Sequence, residues 1–275
     1  MTALTLLYAP GDRPEVVGKA LTSGADVVLV DLEDAVAPDR KAYARAATAE
    51  RLEQRPPVPV HVRVNALDGP WGEADLTALT ALPGLAGLRL PKVTSSSDVV
   101  RVARRAVRAD GTVVPLHALL ETALGVERAF AIASAHPAVR SIALGESDLR
   151  ADLGVREDAG LDWSRARVVV AARAAALPPP AQSIYPDTRD LEGLAASCAH
   201  GRRLGFLGRA AIHPRQLPII ERAYAPTPEE ITRAEETLKA AALDQGAQAL
   251  PDGRFIDTAV VREAHRTLAL ARRRR

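Results

Sequence analysis

Polar residues, most of them charged, lie at the ends of several short apolar runs of this 275-residue sequence. The set comprises Asp31, Glu33, Asp34, Arg63, Asn65, Lys92, Glu121, Glu146 and Asp148. Because the carboxyl ends of parallel strands meet at one face of a barrel or sheet, side chains that follow such runs are expected to lie close together. The pattern therefore predicts one active-site mouth that gathers several carboxylates and a few cations.

Carboxylates that converge in a concave site repel one another unless a cation joins them. Hard oxygen ligands without a Cys or His cluster suit Mg²⁺, with Mn²⁺ also possible. We predict Glu121 and Asp148 as the direct ligands, because Mg²⁺ takes only one or two protein carboxylates and completes its shell with water and substrate oxygens. Glu33 and Asp34 would hold those waters and take part in catalysis. For any one of these acids alone, a helix cap or a surface salt bridge is the competing interpretation.

Basic residues in the same set are candidates for binding an anionic substrate. Arg63 and Arg13 offer paired donors that match a carboxylate, although Arg63 could instead neutralise a neighbouring carboxylate. We favour Lys92 as a counter-ion for Glu33 and its neighbours over a Schiff-base nucleophile, because the mouth is crowded with carboxylates. Gly145 and Glu146 are expected to contact substrate beside these groups.

The elements that must position these residues follow a repeating pattern. Apolar runs that read as buried parallel strands alternate with longer helical segments rich in Ala and Arg. The runs are Leu4–Ala9, Asp26–Val30, Val58–Val64, Leu85–Leu90, Val113–Leu120, Ser141–Leu144, a weak one at Gln182–Tyr185, and Leu204–Leu207. The helices between them include Arg13–Ser23, Arg40–Gln54, Asp98–Ala109, Gly125–Ser134, Trp163–Ala176 and Leu191–His200. About eight units in this length predict an α/β fold, a TIM (β/α)8 barrel with a C-terminal helical extension.

The chain changes character after the last predicted strand. Pro-rich punctuation precedes a predicted helix over Glu229–Leu243, a loop-rich stretch over Asp244–Asp257, and a final helix. We therefore expect a barrel over residues 1–221 and an extension over residues 222–275. The extension either packs on a neighbouring subunit or covers the rim of its own barrel.

Composition excludes several classes of function. The chain is 47% hydrophobic and 25% charged with a formal net charge of +2, which gives no reason to expect a nucleic-acid or membrane partner. Its single cysteine, Cys198, fits a reduced, cytoplasmic setting, and no signal peptide is apparent. No dinucleotide fingerprint, P-loop or Cys/His zinc spacing is present in the sequence.

Six motifs in order resemble the citrate lyase beta-subunit family, within the HpcH/HpaI aldolases. They are LYAPGDRPEVVGKALTSGADVVLVDLEDAVAPDRKAYAR (7–45), VRVNALDGPW (62–71), LPKV (90–93), LLETALGV (119–126), ALGESDLRADLG (143–154) and GFLGRAAIHPRQ (205–216). The resemblance spans nearly the whole chain. It implies a TIM barrel with a C-terminal extension, Mg²⁺ on Glu121 and Asp148, and a substrate carboxylate on Arg63.

The resemblance also implies an activity. Family members cleave, or form, 3-hydroxyacyl thioesters such as citryl-, citramalyl- or malyl-CoA, which yield a keto acid and an acyl thioester. It further implies a homo-oligomer, a trimer, in which Asp257 of one subunit's extension acts as acid/base group at a neighbour's site. From the residues alone, Asp257 is a plausible N-cap of the last helix.

Three further functions stay open at this point. The chain could be the beta subunit of a citrate lyase complex that acts on a thioester of an acyl-carrier protein. It could be a class II aldolase that acts on free 2-keto acids. It could also be a ligand-binding module without turnover, although the retained Glu121 and Asp148 pair speaks against this last function.

Overall fold

A computed structural model describes residues 3–243, 248–249 and 255–272 of the chain. Seven parallel strands form one sheet in the order β6-β5-β4-β3-β2-β1-β7. They are β1 Thr5–Pro10, β2 Val27–Asp31, β3 Val60–Arg63, β4 Leu85–Leu90, β5 Leu116–Leu120, β6 Val139–Leu144 and β7 Arg209–Ala211. The strands are nearly continuously apolar because both faces of the sheet are covered, and this burial forms the core.

Helices connect successive strands, as parallel pairing requires. They are α1 Pro14–Leu21, α2 Lys41–Leu52, α3 Gly72–Leu79, α4 Ser96–Arg105, α5 Ala123–Glu127, α6 Ala129–Ala133, α7 Glu146–Leu153, α8 Asp162–Ala174, α9 Leu191–Leu204 and α10 Leu217–Tyr224. Single-turn 3-10 helices cover Pro38–Arg40, Asp158–Leu161 and Pro214–Gln216. Helix α4 shows how the sequence sets a boundary, since Ser95 and Asp98 form a reciprocal capping box at its first turn.

The chain divides into two compact units, one over Ala3–Ala223 and one that begins at Tyr224. The second unit contains α11 Pro228–Leu243, an antiparallel pair of short strands, β8 Gln248–Ala249 and β9 Phe255–Ile256, and α12 Thr258–Ala271. Helices α11 and α12 pack against each other. Most of the predicted loop before Asp257 lies outside the described residues. No helix in the described part of the chain is long and apolar enough to cross a bilayer.

Three predicted elements differ from the structure. The predicted strand Leu204–Leu207 is wrong: Leu204 ends α9, Gly205 caps it at φ 96°, and the strand begins at Arg209. The apolar signal there comes from Phe206, which is buried beside the helix end. The predicted strand Gln182–Tyr185 is reduced to one parallel bridge, between Gln182 and Arg209.

The third difference concerns the predicted helix over Gly125–Ser134. The structure divides it into α5 and α6, because Arg128 leaves helical geometry at φ −92° and ψ 11°. Among the described residues, the sheet thus contains seven of the eight strands that the barrel prediction required. The fold is α/β with a parallel sheet.

Candidate active site

A cavity of about 510 Å³ lies at the carboxyl ends of the parallel strands, within the unit Ala3–Ala223. This is where α/β enzymes place their catalytic groups. Its polar lining comprises Tyr8, Asp31, Asp34, Arg63, Arg89, Glu121, Glu146, Ser147, Asp148, Gln182 and Ser183. Predicted residues from four different strand ends therefore meet at one opening. Of the predicted residues in this unit, Arg13, Glu33, Asn65 and Lys92 are not part of this lining.

Arg63 forms the centre of one side of the cavity. It ends β3 and is the register partner of Asp31, the last residue of β2. Its Nε donates to Asp31 Oδ1 at 2.7 Å and its Nη2 donates to Asp31 Oδ2 at 2.6 Å, a bidentate pair. Nη1 lies 3.0 Å from Glu33 Oε2 and donates to Asp34 Oδ2 at 3.2 Å. Three carboxylates thus occupy most of this guanidinium.

Lys92 extends the same charged cluster. Its Nζ donates to Glu33 Oε1 at 2.6 Å, which is the contact of a counter-ion. Burial lowers the pKa of Lys92, but the hydrogen bond and the charge of Glu33 outweigh it and raise the pKa to about 12. The ammonium is therefore charged at neutral pH and is not a free amine for Schiff-base chemistry. We call Asp31, Glu33, Asp34, Arg63 and Lys92 the paired cluster.

Glu121 and Asp148 line the cavity from the β5–β6 side of the sheet. Glu121 follows β5 and its side chain is buried, with the residue 2% exposed. Burial raises the pKa of Glu121 to about 8, the charges of Glu33 and Asp148 add to this, and Arg63 and Lys92 oppose it. Asp148 lies in the first turn of α7 and lines the same cavity. Glu121 is therefore a buried carboxylate that forms no ion pair with a cation among the described residues.

Two backbone features hold Glu121 in place. The Lys92 N–H donates to Glu121 Oε2 at 3.0 Å, and Lys92 adopts a left-handed φ of 53°, a costly conformation for a residue other than glycine. A Cβ on Gly145 would lie 2.5 Å from Glu121 Cγ and 2.6 Å from Oε1. A side chain at position 145 would therefore displace Glu121, and Gly145 itself lines the cavity.

The donor set fits Mg²⁺. No group of three or more His, Cys, Asp or Glu side chains within the described ranges has the spacing of an all-protein metal cage. Mg²⁺ needs no such cage, because it binds through one or two carboxylates and keeps several waters. The charge of Asp148 contributes to the raised pKa of Glu121, and a cation between the two carboxylates would offset the cost of ionising Glu121. The site is that of a metal-assisted enzyme.

Glu146 is held by a cation that the sequence pattern did not reveal. Arg165 of α8 donates from Nε to Glu146 Oε1 at 3.0 Å and from Nη2 to Oε2 at 2.7 Å. The same guanidinium pairs with Asp158 and Asp162, and Arg165 is almost fully buried. This network fixes the first turn of α7, which carries Asp148. Arg165 has no sequence signal, since it falls inside an ordinary helical pattern.

Two further predicted residues, Arg13 and Asp257, have local roles at the starts of helices. Arg13 is an exposed residue directly before α1, where Pro14 begins the helix. Asp257 lies in the unit that begins at Tyr224 and caps α12, where its Oδ1 accepts hydrogen bonds from the backbone N–H groups of Ala259 and Val260 at 2.8 and 2.9 Å. The N-cap prediction for Asp257 is thereby confirmed.

Two cavity residues have a larger part in the site than the sequence pattern indicated. Asp31 is marked in the sequence only as a carboxylate after the second run, yet it makes the shortest contacts to Arg63. Arg89 lies between Leu88 and Leu90 on β4 and lines the cavity. It alternates with apolar neighbours just as Arg63 does, so a sequence signal for it was present.

Comparisons with known proteins agree with this site. The HpcH/HpaI aldolase/citrate lyase family model matches residues 4–214. The chain is 36% identical to a (3S)-malyl-CoA thioesterase of Cereibacter sphaeroides, over 97% of this chain and 94% of that protein. It is 32% identical to citrate lyase subunit beta of Escherichia coli, over 98% and 93%.

A solved structure is similar over the same length. The protein CitE from Mycobacterium tuberculosis, in complex with magnesium, acetoacetate and coenzyme A, superposes with a TM-score of 0.81 at 32% identity, over 98% of both chains. The chain belongs to the HpcH/HpaI aldolase/citrate lyase family. The resemblance found in the sequence motifs is therefore confirmed.

Proposed function

We propose that this protein is a Mg²⁺-dependent carbon-carbon lyase that cleaves, or forms, a 3-hydroxyacyl-CoA thioester. The observation that carries the proposal is the buried carboxylate Glu121, which shares a cavity with Asp148 and faces the paired cluster. Family membership supports the reaction class, and the related CitE structure with magnesium and coenzyme A supports both the metal and the carrier. The products would be a keto acid and an acyl-CoA.

Metal binding, positioning and substrate binding fall to different residues. Glu121 and Asp148 would hold Mg²⁺, which when bound polarises the oxygen that becomes the keto group and offsets its negative charge. Lys92 and Gly145 keep Glu121 in position through the backbone N–H and the absence of a side chain. A guanidinium has five N–H donors, and the three carboxylate partners of Arg63 do not use all of them. Arg63 would bind the substrate carboxylate with the remaining N–H donor.

We propose a complete TIM barrel over residues 1–221 as the catalytic domain. The gap in the sheet order lies between β6 and β7, and the segment at Gln182 enters it. Gln182 bridges Arg209 of β7 on one side, and the N–H of Glu146, just after β6, donates to Ser183 Oγ at 3.3 Å on the other. Both contacts support an eighth strand position at this point.

The extension, residues 222–275, is proposed to complete a neighbour's site in a homotrimer. Asp257 would then exchange a proton with the carbon of the thioester enolate, which needs an acid/base group beyond the metal ligands. Asp257→Asn should leave α12 stable, since Asn caps a helix as well as Asp, yet lower turnover by roughly a hundredfold. Mixing Asp257→Asn with Glu121→Gln protein should restore part of the activity, because mixed trimers contain intact sites. An unchanged turnover rate in the Asp257→Asn protein would show that Asp257 is not the acid/base group.

A second candidate activity is hydrolysis of the thioester. It is favoured by the 36% identical relative, whose name is (3S)-malyl-CoA thioesterase. The two reactions leave different products from malyl-CoA. Carbon-carbon cleavage gives glyoxylate and acetyl-CoA with the thioester intact, whereas hydrolysis consumes water and gives malate and free CoA thiol.

One assay separates these activities. Purified protein with Mg²⁺ is given malyl-, citramalyl- or citryl-CoA, and keto acid and free thiol are measured in parallel. We expect keto acid without free thiol, lost in EDTA and in the matched Glu121→Gln protein. Equal amounts of free thiol and hydroxy acid, without keto acid, would establish the thioesterase instead.

Three less favoured functions give distinct results in the same assay. A citrate lyase beta subunit would cleave the thioester only when it is attached to an acyl-carrier protein. A class II aldolase would cleave free 2-keto-acid aldols and ignore thioesters. A binding module would bind keto acid without turnover of any substrate. A cytoplasmic location is part of the proposal, and Cys198 is a buried free thiol in accord with it.

A further inference from the structure

Arg89 is a buried arginine that lines the active-site cavity from β4. Its exposure is 4%. In the sheet register its Cα is paired with Arg63 on β3 and with His117 on β5. Paired residues of neighbouring parallel strands point to the same face, so Arg89 lies beside Arg63 on the face that bounds the cavity.

In the part of the chain that the structure describes, Arg89 is not paired with a carboxylate. Its Nε has no hydrogen-bond partner, and no acidic side chain of the described residues forms an ion pair with it. The neighbouring imidazoles of His61 and His117 are stacked at 4.2 Å between ring centroids. Burial, with the charge of Arg89 added, lowers the pKa of His61 to about 3 and lowers that of His117, so both rings are neutral.

Arg89 and Arg63 therefore differ in what they can bind. The Arg63 guanidinium is committed to Asp31, Glu33 and Asp34. Arg89 keeps its planar array of donors for an external acceptor. A buried guanidinium without an anion is costly, and a carboxylate that enters the cavity would relieve that cost with two parallel hydrogen bonds.

We propose that Arg89 binds the second carboxylate of a substrate whose keto-acid part carries two carboxylates. The first carboxylate and the keto oxygen belong with Glu121, Asp148 and the remaining donor of Arg63, as the proposed function on which this inference rests requires. A cavity of about 510 Å³ has room for a four-carbon dicarboxylate. Among thioesters, this selects a citryl-type substrate over malyl- and citramalyl-type ones.

The test is direct binding of oxaloacetate and pyruvate, which differ by one carboxylate, measured by calorimetry with Mg²⁺ present. Wild-type protein should bind oxaloacetate roughly ten- to hundredfold more tightly, the range expected for a hydrogen bond to a charged group. Arg89→Met should bring the two dissociation constants within about threefold of each other and leave that of pyruvate unchanged. Arg89→Lys keeps the positive charge but loses the planar pair of N–H donors, so it should retain part of the preference for oxaloacetate.

Controls separate binding from structure. Arg104→Met makes the same charge change on the exposed side of α4 and should leave both ligands unaffected. Arg89→Met should not lower the melting temperature, because it removes an unpaired buried charge. An equal affinity of wild-type protein for both ligands would overturn the proposal. So would a preference that survives in Arg89→Met, or a melting temperature that falls while both ligands weaken equally.

The outcome is independent of turnover. A preference for oxaloacetate that depends on Arg89, in a protein that cleaves no thioester, would reject the proposed lyase and leave Arg89 as a carboxylate site. Cleavage of malyl-CoA by a protein that shows no preference for oxaloacetate over pyruvate would support the lyase and reject the role of Arg89.

Discussion

The two sides of the active-site cavity balance charge in opposite ways. On the β2–β3–β4 side, Asp31, Glu33 and Asp34 are matched by Arg63 and Lys92 at 2.6 to 3.6 Å. On the β5–β6 side, Glu121 is equally buried, but its close partner is a backbone N–H.

This difference suggests that one group of charges stabilises the fold and the other serves the reaction. On the β2–β3–β4 side each carboxylate contacts a cation, and the one negative charge in excess can be placed on Asp34, whose side chain is 55% exposed, so this cluster can hold strand ends in register without a ligand. Burial raises the pKa of Glu33 as well, but Arg63 and Lys92 contact that carboxylate directly and oppose the shift. Glu121 has no such contact among the described residues, and its pKa reaches about 8, so its ionised form is stabilised only when a cation binds beside it. Under the proposed function, Mg²⁺ would therefore bind on the Glu121 side, and the paired cluster would keep its geometry whether or not metal and substrate are bound.

The largest effect is expected from removing the unbalanced carboxylate. Glu121→Gln keeps the shape and the hydrogen bond from Lys92 but not the negative charge, so Mg²⁺-dependent turnover should fall by roughly a thousandfold, about 4 kcal/mol of activation free energy. Steady-state kinetics at saturating Mg²⁺ measure this. The melting temperature without metal should not fall. A variant that keeps more than a tenth of wild-type turnover would contradict the assignment of Glu121.

A smaller effect, on stability, is expected from breaking the balanced side. Arg63→Met leaves the carboxylates of Asp31 and Glu33 buried without their main cation and should cost about 3 kcal/mol of unfolding free energy. Urea denaturation measures it. The matched control is Arg101→Met, which breaks an exposed pair with Asp68 and should cost less than about 1 kcal/mol. Equal losses in the two variants would mean that the paired cluster does not stabilise the fold.

The smallest effect concerns pH. The folded pKa of Glu121, about 8, lies above its ordinary value of 4.5, so folded protein binds more protons than unfolded protein in this range. Stability without metal is therefore full below about pH 4.5 and declines as the pH rises toward about 8. We expect Glu121 to account for a decline of about 2 kcal/mol between about pH 5 and pH 6.5, at about 1.4 kcal/mol per pH unit, measured as the difference between wild-type and Glu121→Gln protein in parallel denaturations. Saturating Mg²⁺ should abolish this difference, and identical pH profiles without metal would refute it.

The fold was predictable where local signals and tertiary packing agree. Periodicity located six strands and most helices, since strands buried on both faces leave long apolar runs. It failed at Leu204–Leu207, where a glycine with positive φ redirects the chain and Phe206 supplies apolar character without a strand. At Gln182 the pairing partners are distant in sequence and only one bridge forms, so no local pattern reports it.

The site was predictable in composition but not in pairing. Position after a strand was enough to bring Arg63, Glu121 and Asp148 to one cavity. Position after a strand could not show that Asp31 forms an ion pair with Arg63, because the register between strands determines which charges pair. Register likewise places Arg89 in the cavity without a carboxylate, a distinction that strand alternation alone cannot make.

Calorimetric titration of Mg²⁺ into wild-type, Glu121→Gln and Asp148→Asn proteins tests the central claim most directly. We predict one Mg²⁺ per wild-type chain, with release of about one proton at pH 7 because Glu121 must ionise to bind. Repeating the titration in two buffers of different ionisation heat measures that proton. Affinity should fall at least about tenfold in each variant. Wild-type affinity in both variants, or Mg²⁺ binding without proton release, would contradict the assignment of the metal to this pair.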